Sequence, residues 1–238
     1  MRLDKLLANA GFGSRKDVKT FLKKKQVQVN GVIATDGSKH VDPEKETVHC
    51  NGNPVLYQEY IYLMMHKPAG YLSATEDSRD QTVMDLLPAE LQHFEPFPVG
   101  RLDKDTEGLL LLTNDGKLGH LLTTPKKNVP KTYFAVIKGN VGKSDIAAFK
   151  EGIMLDDGYV AKTALLDIVN SGDISEIKVT VTEGKFHQVK RMFEAVDKKV
   201  LYLKRLSMGD IVLDSDLAKG KVRELTEEEL AYCKALKQ

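Results

Sequence analysis

Apolar residues recur at helical spacing from the start of the chain. Leu3, Leu6, Leu7 and Ala10 form one stripe, and Gly11 closes it. Ser14 is suited to cap a second helix whose buried stripe is Val18, Phe21 and Leu22. The stretch QVQVNGVIA then alternates about Asn30-Gly31, which predicts a tight hairpin. Asn51-Gly52 and Asn53-Pro54 are turn signals and place a linker over 49–60, between a domain at 1–48 and another at 61–238. Beyond the linker, strand-like runs fall at 60–66, 109–113, 132–138, 159–169, 175–182 and 199–206. Helical runs fall at 81–87, 116–122, 143–151, 186–196 and 226–236. They do not alternate as regular βαβ units, so the expected class is α+β, with a mixed, largely antiparallel sheet flanked by helices.

Charge changes this picture. The 238 residues carry a net charge of only +1. The first thirty nevertheless hold eight basic residues against Asp4 and Asp17, a local net of +6. Arg15, Lys16, Lys19 and Lys23 fall off the apolar stripe of the second helix, so that helix can pack on one side and present cations on the other. A concentrated basic end on a neutral chain suits a polyanion, although a lysine run is also compatible with a merely solvated face. Cys50 and Cys233 are far apart and lack metal or disulfide spacing, which fits a reducing, cytoplasmic setting. The charged N-terminal stretch is unlike a signal peptide, and no apolar run is long enough for a membrane span. Without a heptad pattern the chain is expected to be a monomer.

Three stretches could carry chemistry. In GRLDKDTEGLLLLTNDG, Asp103, Asp105 and Glu107 lie close to Arg101 and Lys104, which would favour ionised carboxylates for nucleophilic or base chemistry. The same spacing fits a charged turn before a buried strand and, more weakly, a carboxylate-pair glycosidase. PKTYFAVIKG is a strand apolar on both faces, with Tyr133 either in the core or able to stack on a base. EGKFHQVKRMF runs from a strand end into a helix whose buried stripe includes Val189, Met192 and Phe193. His187 at that helix start could be a base or a structural residue. No second histidine lies near enough in sequence for a metal pair, so no metal site is expected.

The stretch RLDKLLANAGFGSRKDVKTFLKKKQVQVNG resembles an S4 RNA-binding domain. Such domains grip structured RNA through the second helix and the following loop, which implies roles for Arg2, Arg15, Lys16, Lys19 and Lys23. The three later stretches, in order, resemble the motifs of a pseudouridine synthase, and HKPAGYLSA resembles the strand end that opens its catalytic domain. The resemblance implies that Asp103 is the active-site aspartate, Tyr133 the active-site tyrosine and Lys190 the basic residue paired with the aspartate. It also implies that Arg101 fills the gap left by an extruded base, with Lys185, Gln188 and Arg191 contacting RNA. The third motif, with its His-Gln-Val-Lys, looks most like the branch acting on one uridine, of the position-516 type, in 16S ribosomal RNA or a small-subunit assembly intermediate. A 23S-directed enzyme and a non-catalytic assembly factor are the alternatives. The reaction implied breaks the C1′–N1 bond of uridine and joins C1′ to C5, with no cofactor.

Overall fold

The computed structural model describes residues 1–236; Lys237 and Gln238, inside the expected span 61–238, lie outside the described residues. The chain divides into two compact units, one of residues 1–61 with 88–95, the other of residues 62–87 with 96 onward.

In the first unit, α1 (Leu3–Asn9) and α2 (Arg15–Lys23) precede β1 (Val27–Val29), β2 (Val32–Ile33), β3 (Val48–Cys50) and β4 (Asn53–Pro54). Leu3, Leu6, Leu7, Val18 and Leu22 meet Val27, Val29 and Cys50 in one core, as the helical stripes and the strand alternation require. The start of α2 is set by a reciprocal cap, in which Ser14 Oγ accepts from the Asp17 N–H and Asp17 accepts from the Ser14 N–H. The short helix α3 (Ala89–Gln92) belongs to this unit as well. The four strands run in the order β2-β1-β3-β4. This revises the stretch expected as linker: residues 48–54 form a hairpin of that sheet. Asn51 and Gly52 both take positive φ, so the turn signal closes a pair of strands instead of ending the domain.

In the second unit, β5 (Tyr62–Lys67), β6 (Phe97–Pro98), β7 (Glu107–Thr113), β8 (Lys131–Lys138), β9 (Leu165–Asn170), β10 (Ile174–Val181), β11 (Lys199–Met208), β12 (Ile211–Val212) and β13 (Val222–Glu224) form one sheet. Its main path is β13-β5-β7-β11-β8-β10-β9. Among the described strands of this sheet only β7 and β11 pair in parallel; the other strand pairings are antiparallel, as the irregular alternation of elements implies. Helices α4 (Gly116–Thr123), α5 (Lys143–Glu151), α6 (Gln188–Glu194) and α7 (Glu227–Ala235) flank it. Met64, Leu109, Leu111, Leu118, Leu122 and Met208 share one core cluster. Phe149 of α5 and Phe193 of α6 pack ring to ring at 4.8 Å.

Two expected elements differ. Residues 159–164 are not strand, because Leu155 and Ala161 donate back to Tyr159 and Ile153 and fold this stretch onto residues 153–155 around Gly158. The expected helix at 81–87 is a short 3₁₀ turn, Val83–Leu86, capped by Thr82 and Asp85 and followed by Pro88, which disfavours helix at Leu87. Among the described residues, no helix is long and apolar enough to cross a membrane.

Candidate active site

The parallel contact between β7 and β11 sets the position of everything around it. Gly108 lies opposite Arg205 with φ +108°, and a Cβ there would meet the Arg205 carbonyl oxygen at 2.2 Å. Only glycine lets the two backbones approach this closely. The approach brings the loop before β7, residues 101–106, beside the face of β8 and β11 that carries Lys131, Tyr133, Leu203 and Arg205.

That loop is held by two side chains from the β5 end of the sheet. Lys67, the last residue of β5, is fully buried, and its ammonium donates to the carbonyls of Pro68 at 3.0 Å, Asp103 at 3.1 Å, Lys104 at 3.3 Å and Thr106 at 2.8 Å. Burial pushes its pKa down to about 8, against the upward pull of Asp105, Asp103 and Glu107. Ser73 Oγ donates to the Leu102 carbonyl at 2.9 Å and accepts from the Leu102 N–H at 3.0 Å. The backbone entering and leaving Asp103 is therefore fixed from below.

The carboxylates of this loop meet Lys190, in the first turn of α6. Its ammonium is 3.2 Å from Asp103 Oδ2 and 2.7 Å from Asp105 Oδ1. Burial disfavours the charged lysine, but the bonds to Asp105 and Asp103 outweigh it and hold its pKa above the ordinary range. For Asp105, burial acts upward and Lys190 outweighs it, leaving the carboxyl below the usual range. One ammonium is thus shared between the two aspartates. His187, the N-cap of α6, adopts the left-handed conformation (φ +49°), places Nε2 3.6 Å from Asp103 Oδ1 and stacks on the exposed ring of Phe186 at 3.8 Å.

Asp103, Lys190, His187 and Tyr133 line a cleft of about 600 Å³ that also includes Arg101, Lys185 and Gln188. Arg101 is exposed at its wall. Lys185 lies over the Tyr159 ring, 4.5 Å from its centroid. Gln188 is buried, donating to Glu183 and accepting from the Lys185 N–H, so its amide closes the loop onto β10. Arg191 is engaged by Asp156 and Asp157. Arg2 is paired with Asp4 at 2.7 Å. Arg15, Lys16, Lys19 and Lys23 are exposed along α2, with no carboxylate in ion-pair reach among the described residues.

The structure thus brings Asp103, Tyr133 and Lys190 to one cleft and leaves the α2 cations in the first unit. Sequence reasoning did not reach Lys67, Ser73, Asp105 as a second partner of Lys190, or the buried pair Lys131 and Arg205. A lysine closing the apolar strand YIYLMMHK was the available signal for Lys67.

The cleft thus holds an aspartate on a fixed loop, a lysine paired with it and a tyrosine on β8, and the chain that builds it matches known proteins. A family model described as RNA pseudouridylate synthase matches residues 61–195, and an S4 domain model matches residues 1–46. The chain belongs to the RNA pseudouridylate synthase family. An uncharacterized RNA pseudouridine synthase of Bacillus subtilis is 57% identical, covering 97% of each chain. The ribosomal small subunit pseudouridine synthase A of Yersinia pestis is 37% identical, covering 97% of each. The ribosomal large subunit pseudouridine synthase B of Bacillus subtilis is also 37% identical, covering 99% of this chain and 96% of that one. A crystal structure of a pseudouridylate synthase matches with a TM-score of 0.69 at 34% identity, covering 98% of this chain and 99% of that one. As a pseudouridine synthase the protein is an isomerase. Among the described residues no cluster of histidine, cysteine or carboxylate side chains is arranged to hold a metal ion.

Proposed function

We propose that this pseudouridine synthase acts on ribosomal RNA, and that its target is a single uridine of the small-subunit RNA, met as 16S RNA or as a small-subunit assembly intermediate in the cytoplasm. The observation that carries the reading is the Asp103 carboxylate held 3.2 Å from the Lys190 ammonium in a cleft large enough for an extruded nucleotide. A stacked uridine must leave its helix to reach such a carboxylate, at a cost of a few kcal/mol. The exposed cations of α2 supply phosphate contacts to offset that cost, and Arg101 at the cleft wall is placed to occupy the space the base vacates.

In the proposed reaction Asp103 attacks C1′ or takes the C2′ proton while the C1′–N1 bond breaks, its electron pair passing to the uracil ring. The base turns over and C5 bonds to C1′ as the Asp103–C1′ bond breaks, or as Asp103 returns the proton to C2′; the C5 proton leaves with Tyr133 alongside and N1 takes up a proton. The choice of the small subunit rests on the third motif, His187-Gln188-Val189-Lys190, which places an imidazole against Asp103. The small- and large-subunit relatives are equally identical to this chain, which keeps a large-subunit target as the second reading.

Pseudouridine mapping in both ribosomal RNAs, from cells with and without the gene, tests this. The expected result is one small-subunit site lost, restored by wild type and not by Asp103→Asn. A large-subunit site lost instead would overturn the substrate while keeping the chemistry. No lost site would overturn both.

A further inference from the structure

The cleft floor holds cations that the proposed chemistry has not used. Arg205 is 1% exposed; its Nε donates to the Leu109 carbonyl at 2.7 Å, while Nη2 is buried with no acceptor among the described residues. Lys131, on neighbouring β8, is 8% exposed, and its ammonium meets one carbonyl, that of Val129 two residues away, at 2.9 Å. Neither has a carboxylate in ion-pair reach among the described residues, in contrast to Lys190 in the same cleft. The two are within electrostatic reach of each other, and burial with the Arg205 charge pushes Lys131 down to about 8.

Buried cations without counter-ions are costly unless something anionic completes them. Their place restricts what that can be. In β-sheet register Arg205 lies directly opposite Tyr133, and Lys131 precedes Tyr133 by one same-face position. Both line the cleft with Asp103. Exposed cations of α2 are available for backbone phosphates, whereas this pair flanks the tyrosine on the same face of the sheet, in the cleft that would take a planar ring.

We propose that Arg205 and Lys131 form an anion-stabilising floor for the departing uracil, donating to its O2 and O4 oxygens as the glycosidic bond breaks. This rests on the isomerase reading of the site. When C1′–N1 cleaves, the electron pair enters the ring and the charge spreads over N1, O2 and O4. When C5 bonds to C1′ that pair is returned, the C5 proton departs and N1 regains a proton, so the floor stabilises a charge that exists only between the two bonds. Preorganised donors aimed at a transient charge act most strongly in a site that excludes water.

The test is single-turnover conversion of a ribosomal RNA fragment that wild type modifies, containing either uridine or 5-fluorouridine at the target. Fluorine withdraws electrons and stabilises the ring anion without help from the protein. Arg205→Met and Lys131→Met are expected to slow glycosidic cleavage of the uridine RNA about 100–1000-fold, with unchanged RNA Kd and a clearly smaller loss on the 5-fluorouridine RNA. Equal losses on both RNAs, or a loss explained by Kd, would overturn the floor. Arg205→Met also removes the bond to Leu109 and can cost folding. Lys131→Met gives up only a contact within its own strand end, so it decides the question if the arginine variant unfolds. A wild-type protein inactive on both ribosomal RNAs would count against the function itself, whereas an active wild type with equally active variants counts against the floor alone.

Discussion

Asp103 shows how little of a catalytic residue's setting is written next to it. The carboxylate was legible from its motif, but its surroundings come from residues 36 positions earlier and 87 later, Lys67 and Lys190. Asp103→Asn keeps the shape and removes the charge, so isomerisation is expected to vanish while RNA affinity measured by filter binding stays close to wild type. Lys67→Met should behave differently: it removes the shared donor of four carbonyls, of which those of Asp103 and Lys104 keep a backbone N–H from Thr106 and Gly70, and each buried group left unsatisfied costs about 1–3 kcal/mol. Lower thermal stability together with lost activity is expected, checked by calorimetry. Lys131 adds a pH effect whose sign can be worked out. Its folded pKa is about 8, below its ordinary value of 10.5. Between those values the unfolded chain holds a proton that the folded one has released, so stability rises with pH across that window and is flat below it. Urea titrations from pH 7 to 10 should therefore show wild type gaining on Lys131→Met only above pH 8. Buried cations such as these escape sequence reading because a lysine in an apolar run has no local mark of where its ammonium ends.

At the level of elements, periodicity is informative wherever one face is buried. The stripes of α1 and α2, the hairpin at Asn30-Gly31 and helix α5 are legible because neighbouring residues impose them. What periodicity cannot carry is partnership. The run LLLL reads as a buried strand, yet nothing in it says that β7 lies between β5 and β11, or that its contact with β11 is parallel. The Asn51-Gly52 turn likewise looks the same whether it ends a domain or folds a hairpin. Gly108 is where the hidden partnership becomes testable. Gly108→Ala would put a methyl group against the β11 backbone at a φ that alanine resists. A destabilisation of more than about 3 kcal/mol is expected, with activity falling in step because β7 and β11 carry the Asp103 loop and Arg205. A melting temperature near that of wild type would show that the two strands can separate without harm.

Across the whole molecule, charge is sorted by task. The sum of +1 conceals a basic helix in the first unit and, in the second, a lysine compensated by two aspartates. The free cations of α2 should govern how binding responds to salt. Reversing Arg15, Lys16 and Lys19 together is expected to weaken RNA binding and flatten the dependence of log K on log salt by about 2–3, while single-turnover rates at saturating enzyme are preserved. An unchanged slope would remove this helix from the binding surface.

The cage around Lys67 has a consequence for how such an enzyme can diversify. Its ammonium grips main-chain oxygens, and every amino acid carries one. The course of the loop is thus decoupled from the identity of the residues along it. Exposed Lys104, whose side chain reaches Asp80, can be exchanged without moving Asp103. The loop can accept new neighbours for a new RNA target while its reacting carboxylate stays where it was, so inheritance can alter recognition and chemistry separately.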